Sequence, residues 1–215
     1  MPTPDFPPNT LDSEGEPRWI AELASADPNH ALHVVRGLEP AAALAALGAN
    51  PQRVRPVELP DGKPDDQTSL PGAALEIGPG SGATLLAGRI GDWTFVYDDG
   101  GYTYDEENTA VLSAGGRSAA TSMFSINADA SLTYAVDGEQ LAWVNVDDLD
   151  LEEDLPEMPA ELRAAFEAAG TIELDYLEPG EADYSIAMRA VCALAGLTCT
   201  IDDIRRIPLL AVEFG

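Results

Sequence analysis

A glycine-rich stretch of this chain has the residue types that hold a cofactor in some enzymes. Residues 75–82 have the sequence LEIGPGSG, in which an acidic residue precedes three glycines at alternate positions. Glycines in such a turn let the backbone approach a cofactor closely, and an acid at the end of the next strand can hold ribose hydroxyls. Asp98 and Asp99 lie at a suitable distance along the chain for that second role. The residues of this candidate cofactor site are Glu76, Gly78, Gly80 and Gly82.

The same stretch resembles the first motif of class I S-adenosylmethionine-dependent methyltransferases, so methyltransferase activity is one hypothesis. Only about ten residues separate Gly82 from the next strand, which is too few for the helix of a parallel crossover. The segments that follow have the pattern of consecutive hairpins, and glycine triplets often occur without a cofactor. We therefore favour a structural interpretation, in which a turn-rich loop leads into a hairpin that turns at Gly91-Asp92, and we expect no cofactor.

An acidic segment at residues 147–157, DDLDLEEDLPE, is the second candidate site. It holds seven carboxylates in eleven residues and no glycine, so the glycine turn of a calcium loop is missing. The wider stretch 147–183 carries −13 of the net charge of −27. Such a block usually forms a solvated surface, and it can also dock a basic partner. The residues that would bind that partner are Asp147, Asp148, Asp150, Glu152, Glu153 and Asp154.

The overall charge restricts the choice of partner. The 215 residues include 38 Asp and Glu against 11 Lys and Arg. Nucleic acid and anionic membranes are not expected ligands, because both would be repelled. A field of this sign attracts a basic protein surface, a cationic ligand or a metal ion, although solubility alone can also explain it. A third hypothesis is nucleic-acid mimicry, in which spaced carboxylates copy phosphates.

Targeting signals and reactive side chains give little evidence of function. No run of 18 apolar residues is present, and residues 1–16 have neither a basic start nor an apolar centre, so a cytoplasmic location is the default expectation. His30 and His33 have no third partner at a metal-ligand spacing, and structural polar contacts are expected for both. Cys192 and Cys199 match no common zinc or redox motif and are expected to be buried thiols.

The order of the predicted elements indicates an α+β fold, with a mainly antiparallel sheet built from a central hairpin and a meander and flanked by N- and C-terminal helices. Residues 1–16 are expected to form a flexible, acidic, proline-rich arm before a single domain at 17–215 that contains a proline-rich loop at 50–72. Helices are predicted from Pro17, over 40–47, 105–112, 160–169 and 181–195, and from Thr200. Strands are predicted over 31–36, 54–57, 83–89, 93–97, 118–126, 131–136, 140–146 and 209–214.

The aromatic residues of these elements are expected to share one buried face, since aromatic side chains contribute much of the buried area of a core. They are Trp19, Trp93, Trp143, Phe95, Tyr97, Phe124, Tyr134 and Phe166.

Five segments, taken in order, resemble a bacterial domain family of unknown function found mainly in high-GC Gram-positive hosts. They are HVVRGLEPAAALAALGA (33–49), GDWTFVYDDGGY (91–102), LSAGGRSAATSMFSINA (112–128), LTYAVDGEQLAWVNVD (132–147) and ALAGLTCTIDDI (193–204). Together they span about 30–205. The resemblance supports the fold boundaries and implies no catalytic residue.

The leading functional hypothesis is therefore a non-enzymatic, acidic binding protein of the regulatory or immunity type that acts on a protein partner. Its motivation is the charge together with the lack of a catalytic constellation. The oligomeric state is left open.

Overall fold

The computed structural model describes residues 5–27, 29–78, 82–127, 129–172, 174 and 177–215. The strands in this part of the chain are β1 His30–Arg36, β2 Arg55–Val57, β3 Ala83–Ile90, β4 Trp93–Asp99, β5 Ser118–Phe124, β6 Ala130–Val136, β7 Glu139–Asn145 and β8 Leu209–Phe214. The helices are α1 Arg18–Leu23, α2 Pro40–Ala46, α3 Leu70–Ala74, α4 Glu106–Ser113, α5 Leu151–Asp154, α6 Ala160–Ala169, α7 Ile186–Ala195 and α8 Ile201–Arg205. Single 3-10 turns at Val146–Asp148 and Leu155–Glu157 flank α5.

The strands form one sheet in the order β2-β8-β3-β4-β1-β5-β6-β7, and every neighbouring pair is antiparallel. The predicted α+β class with a mainly antiparallel sheet is confirmed. The central hairpin is β3–β4, which turns at Gly91 with a φ of 57°. The predicted meander is β5–β6–β7, with Asp137 and Gly138 at positive φ in its second turn. Both turns use residues that tolerate the left-handed region.

Helices cover both faces of the sheet because successive side chains of each strand point to opposite sides. On one face, α7 packs on β1, β4, β5 and β6, and α6 packs on α7. All ten residues of α7 are buried, and nine of them are apolar, as expected for a helix that lies inside the core. On the other face, α2 and α4 cover a smaller cluster around Val35, Leu85 and Val96. The aromatic pair Trp19 and Phe95 lies in the larger core, with ring centroids 5.7 Å apart.

Several helix boundaries differ from the sequence expectation for local reasons. Helix α6 has the predicted bounds, but α7 begins at Ile186 and not near Glu181, because the Asp183 carboxylate accepts a hydrogen bond from the Ser185 amide. The short helix α3, at the end of the proline-rich stretch, was not predicted. Ser69 caps it by accepting from the Gly72 amide, and Pro71 lies in the first turn, where proline is tolerated.

The N-terminal segment is irregular over residues 5–16 apart from one antiparallel bridge between Leu11 and Pro17. Thr10 and Gly15 are nevertheless buried. Flexibility of this segment and a domain boundary at residue 17 stay predictions. No helix in the described ranges has both the length and the apolar character needed to cross a membrane.

Candidate binding surface

The polar and acidic side chains that follow β7 accept hydrogen bonds from nearby backbone amides. The Asn145 side chain accepts from the Asp147 amide and starts the 3-10 turn. Asp150 caps α5, since its carboxylate accepts from the amides of Glu152 and Glu153 at 2.9 and 3.2 Å. Carboxylates at a helix N-terminus satisfy free amides and interact favourably with the helix dipole. The Asp154 carboxylate accepts in the same way from the Asp150 amide at 2.9 Å. The remaining carboxylates of the predicted set, at positions 147, 148, 152 and 153, are exposed.

This segment forms one wall of a groove of about 580 Å³, and residues 177–182 form the other. An antiparallel bridge between Asp150 and Glu181 joins the two walls. We call this feature the acidic groove. Its lining carboxylates are Asp147, Asp148, Asp150, Glu152, Glu178 and Glu181.

The predicted partner-binding residues are thus divided by the structure. Asp147, Asp148, Asp150 and Glu152 line the acidic groove, Asp154 lines a neighbouring groove, and Glu153 lines neither. Sequence reasoning did not single out the two carboxylates that the second wall contributes, although the −13 charge of 147–183 was a signal of them. The assignment of these residues to partner binding stays a prediction.

The acidic groove carries negative charge with no cation of the described residues to balance it. None of the seven ion pairs between described residues includes one of its carboxylates, and no Lys or Arg is among the described residues that line it. Within the described ranges, no group of three or more His, Cys, Asp or Glu is arranged to hold a metal ion. The geometry is suited to attracting a broad cationic surface, because several like charges add to one field in a concave site.

Strand β7 borders the second groove, of about 340 Å³, which we call the edge groove. It is lined by residues 141–145, 148–149, 154 and 157–159. Trp143 and Leu141 are 49% and 46% exposed there. The expectation of a buried core position for Trp143 was wrong, because the register pairs Trp143 with Thr133 and so places it on the face opposite to the buried Val144 of the same strand.

A third cleft, of about 630 Å³, lies between residues 13–16 and the start of α7. Here His30 Nε2 lies 3.2 Å from a Glu16 carboxylate oxygen, and the imidazole stacks on Phe124 with centroids 5.8 Å apart. The cleft has room for a small molecule, and this carboxylate–imidazole pair lies at its wall.

His33 lies in a buried chain of hydrogen bonds on the opposite face of the sheet. Thr103 donates to Asp98 through its amide and its hydroxyl, both at 2.6 Å. The Thr103 oxygen must then accept from His33 Nε2 at 2.8 Å, so Nδ1 accepts from the Thr121 hydroxyl at 2.8 Å. Burial lowers the pKa of His33 to about 3 and raises the pKa of Asp98. The imidazole is thus neutral at pH 7 and makes polar contacts with two threonine side chains, the kind of contact that the sequence interpretation expected.

The glycine-rich stretch does not have the surroundings that a cofactor site requires. Helix α3 precedes it and strand β3 follows it, the reverse of the strand–loop–helix order of the methyltransferase motif. Gly80 lies outside the described residues. Asp98, one candidate for the ribose hydroxyls, is fully buried against Thr103. Asp99 lies on the other face of the sheet, where burial raises its pKa. The cofactor hypothesis gains no support from this arrangement.

A buried ion pair lies beside the 630 Å³ cleft, which Asp183 helps to line. Arg189 and Asp183 form two hydrogen bonds of 2.7 Å, and their side chains are 0% and 2% exposed. The guanidinium also donates to the carbonyls of Gly15, Ala169 and Gly170. These five bonds match the five N–H groups of arginine. The pair therefore joins the N-terminal segment to the end of α6 and the start of α7.

Comparison with known proteins identifies a family and no activity. A model of a family of unknown function, DUF6461, matches residues 15–200. The resemblance to a family of unknown function is confirmed by this match. No curated protein and no solved structure matches the chain.

Proposed function

We propose a protein-binding function for this chain, which belongs to the DUF6461 family of unknown function. The acidic groove would bind a basic surface of a protein partner, without catalysis by the chain itself. The observation that carries this proposal is that two separate stretches of the chain, 147–152 and 177–182, place carboxylates in one groove that no described cation lines. The exposed Trp143 in the adjoining edge groove supplies an apolar contact of the kind that anchors interfaces.

Electrostatic attraction of this kind acts first on the rate of encounter. A concave site lined by one sign of charge raises the association rate of a partner of opposite sign, and salt weakens the effect. Covering the partner's basic surface would block whatever that surface normally binds. This is the form that a regulatory or immunity-type role would take here.

Three versions of the full-length chain test the proposal as baits in lysate from the cells that encode it. The wild type is compared with a groove variant, in which the six carboxylates of the acidic groove are changed to Asn or Gln. The control variant neutralises six exposed carboxylates that lie outside the groove, so both variants gain the same net charge. The control substitutions are Glu22→Gln, Glu58→Gln, Asp61→Asn, Asp66→Asn, Asp92→Asn and Glu107→Gln.

We expect at least one basic protein to be captured by the wild type and by the control variant but not by the groove variant. Calorimetry with that purified protein should then give an affinity that falls as salt rises. Equal capture by all three baits would show that the groove carboxylates do not bind the partner, and equal loss of capture in both variants would show that net charge alone is responsible. Either result would reject the proposal. Absence of any captured basic protein would reject it as well.

Nucleic-acid mimicry is a narrower form of the same proposal, because it requires a partner that normally binds DNA or RNA. The six carboxylates that line one groove are the observation that would support it. If the captured partner binds nucleic acid, competition between DNA and this chain for one site on the partner would support mimicry. Simultaneous binding of both would leave ordinary docking.

A further inference from the structure

We infer that the free edge of β7 pairs with an extended, basic segment of the partner, which would add a ninth strand to the sheet. This inference rests on the proposed function and specifies how the partner binds. An edge strand presents unpaired amide and carbonyl groups, which can form a ladder with a peptide from another chain.

The two edges of the sheet differ in their ability to accept a strand. Strand β2, at one edge, has three residues and contains Pro56, which has no amide hydrogen to donate. Strand β7, at the other edge, has seven residues and no proline. Among the backbone hydrogen bonds that the described residues form outside helices and strands, none involves Glu139–Asn145. Only the β7 edge therefore has both the length and the free groups for pairing.

The shape of the edge groove places an occupant along this strand. Five consecutive residues of β7, 141–145, line it. Because consecutive side chains point to opposite faces, a groove bordered by all five must follow the edge of the strand. The Tyr134/Ala135 irregularity in the pairing with β6 lies opposite this stretch and places Leu141 out of the regular alternation. An extended peptide fits this position better than a helix does.

The negative charge of the edge groove favours a basic occupant. The edge groove is also lined by Asp148, Asp154 and Glu157, and by no Lys or Arg of the described residues. A peptide with Lys or Arg at alternate positions would place cations beside these carboxylates while its other side chains contact Trp143. Pairing of β7 with β7 of a second copy would instead bring two such groups of carboxylates together, in chains that each carry −27. The basic segment is thus preferred over self-association.

Synthetic peptides test the inference even while the partner is unidentified. The probe is an acetylated and amidated peptide of about eight residues, similar in length to an ordinary strand, in which lysine alternates with valine or threonine. Two further probes carry N-methyl groups on the amides of either the odd or the even positions. An N-methylated amide cannot donate, so only the probe that keeps its inward-facing amides can form the ladder.

Trp143 provides the readout, since Trp19 and Trp93 are 0% and 9% exposed. We expect the unmodified probe to change the tryptophan emission of the wild type and to leave that of Trp143→Phe unchanged. One N-methylated probe should lose at least about tenfold in affinity relative to the other, because several hydrogen bonds are removed together. An Asp154→Asn, Glu157→Gln variant should also bind the unmodified probe more weakly. Its matched control, Glu153→Gln with Glu167→Gln, changes the charge equally at exposed positions outside both grooves.

Two results would overturn the inference while the proposed function stands. One is equal affinity of both N-methylated probes, which would show attraction by charge without a strand ladder. The other is no binding of any probe together with groove-dependent capture of a basic protein. Conversely, ladder-dependent binding of the probe without any groove-dependent partner would support the inference and reject the proposed function. Peptide binding is measured only on full-length variants whose circular dichroism spectrum matches that of the wild type. Loss of folding is then not mistaken for loss of binding.

Discussion

The carboxylate of Asp183 and the carboxylates of the acidic groove lie in opposite surroundings. Asp183 is 2% exposed and accepts four hydrogen bonds, two from Arg189 and one each from the amides of Ile172 and Ser185. The groove carboxylates face solvent and no cation of the described residues pairs with them. A buried charge is tolerated only when its hydrogen bonds are satisfied, whereas exposed charges contribute little to stability. Asp183 therefore stabilises the fold, whereas the groove carboxylates are available to bind a partner.

Removal of one member of the buried pair should have the largest effect on stability. Arg189→Met leaves the Asp183 carboxylate buried without its cation and frees three backbone carbonyls. We expect the free energy of unfolding to fall by about 3–5 kcal/mol, the usual cost of an uncompensated buried charge. Urea denaturation measures this. Arg206→Met is the control, because the Arg206 side chain is 72% exposed in its pair with Asp203 and no measurable change is expected. Equal losses in the two variants would contradict the distinction between buried and exposed charge.

Gly15 tests whether the N-terminal segment belongs to the same buried cluster. A Cβ at this position would lie 2.3 Å from Ile172 Cδ1 and 2.5 Å from Arg189 Nη1, and the backbone has a φ of +86°. Gly15→Ala should therefore cost about 2–3 kcal/mol, from the left-handed conformation and the displaced neighbours. Gly62→Ala is the control, since nothing lies within 4 Å of the position that its Cβ would take. No change in the urea midpoint for Gly15→Ala would instead support the predicted flexible arm over residues 1–16.

His33 extends the comparison to a buried group that must stay neutral. The pKa of His33 is lowered from 6.5 to about 3 in the folded protein. Between these pH values the unfolded chain binds a proton that the folded protein does not, so stability is lost as pH falls through this window. The loss is about 1.4 kcal/mol for each pH unit. Asp98, whose pKa is raised by burial, acts in the opposite direction and reduces the net loss.

The measurement for His33 is urea denaturation at pH 7 and pH 5 for the wild type and His33→Gln. The variant should be less stable at pH 7, since its hydrogen bonds to Thr103 and Thr121 change, but it should lose less stability between the two pH values. An identical pH dependence would show that His33 is not responsible for the acid sensitivity.

Local sequence signals predicted much of the fold. Gly91-Asp92 and Asp137-Gly138 mark their hairpin turns because the backbone conformation there favours these residue types, and the alternation of β-branched and aromatic residues indicates the strands they join. Helix α6 could be bounded by Pro159 and Gly170 for the same reason. Each of these signals lies within a few residues of the structure that it determines.

The parts that could not be predicted depend on contacts between distant segments. Trp143 is exposed because it lies on the face of β7 opposite to the buried Val144, and the alternation within one strand does not show which of its two faces meets the core. The acidic groove has two walls only because Asp150 and Glu181 form a bridge. Likewise, Gly15 lies in a segment that has the composition of a flexible arm, and its contact with Arg189 arises only once α6 and α7 have packed together.

Neutralisation of the acidic groove should have the smallest effect on stability. The groove variant keeps the oxygen of residue 150 that caps α5, because the asparagine in Asp150→Asn also accepts hydrogen bonds from the helix amides. It also removes repulsion between six like charges. We therefore expect its free energy of unfolding to stay within about 1 kcal/mol of the wild-type value, with any change toward greater stability. A variant that keeps its urea midpoint while it loses its basic partner would separate binding from folding, and a large loss of stability would instead place these carboxylates with Asp183 among the residues that hold the fold.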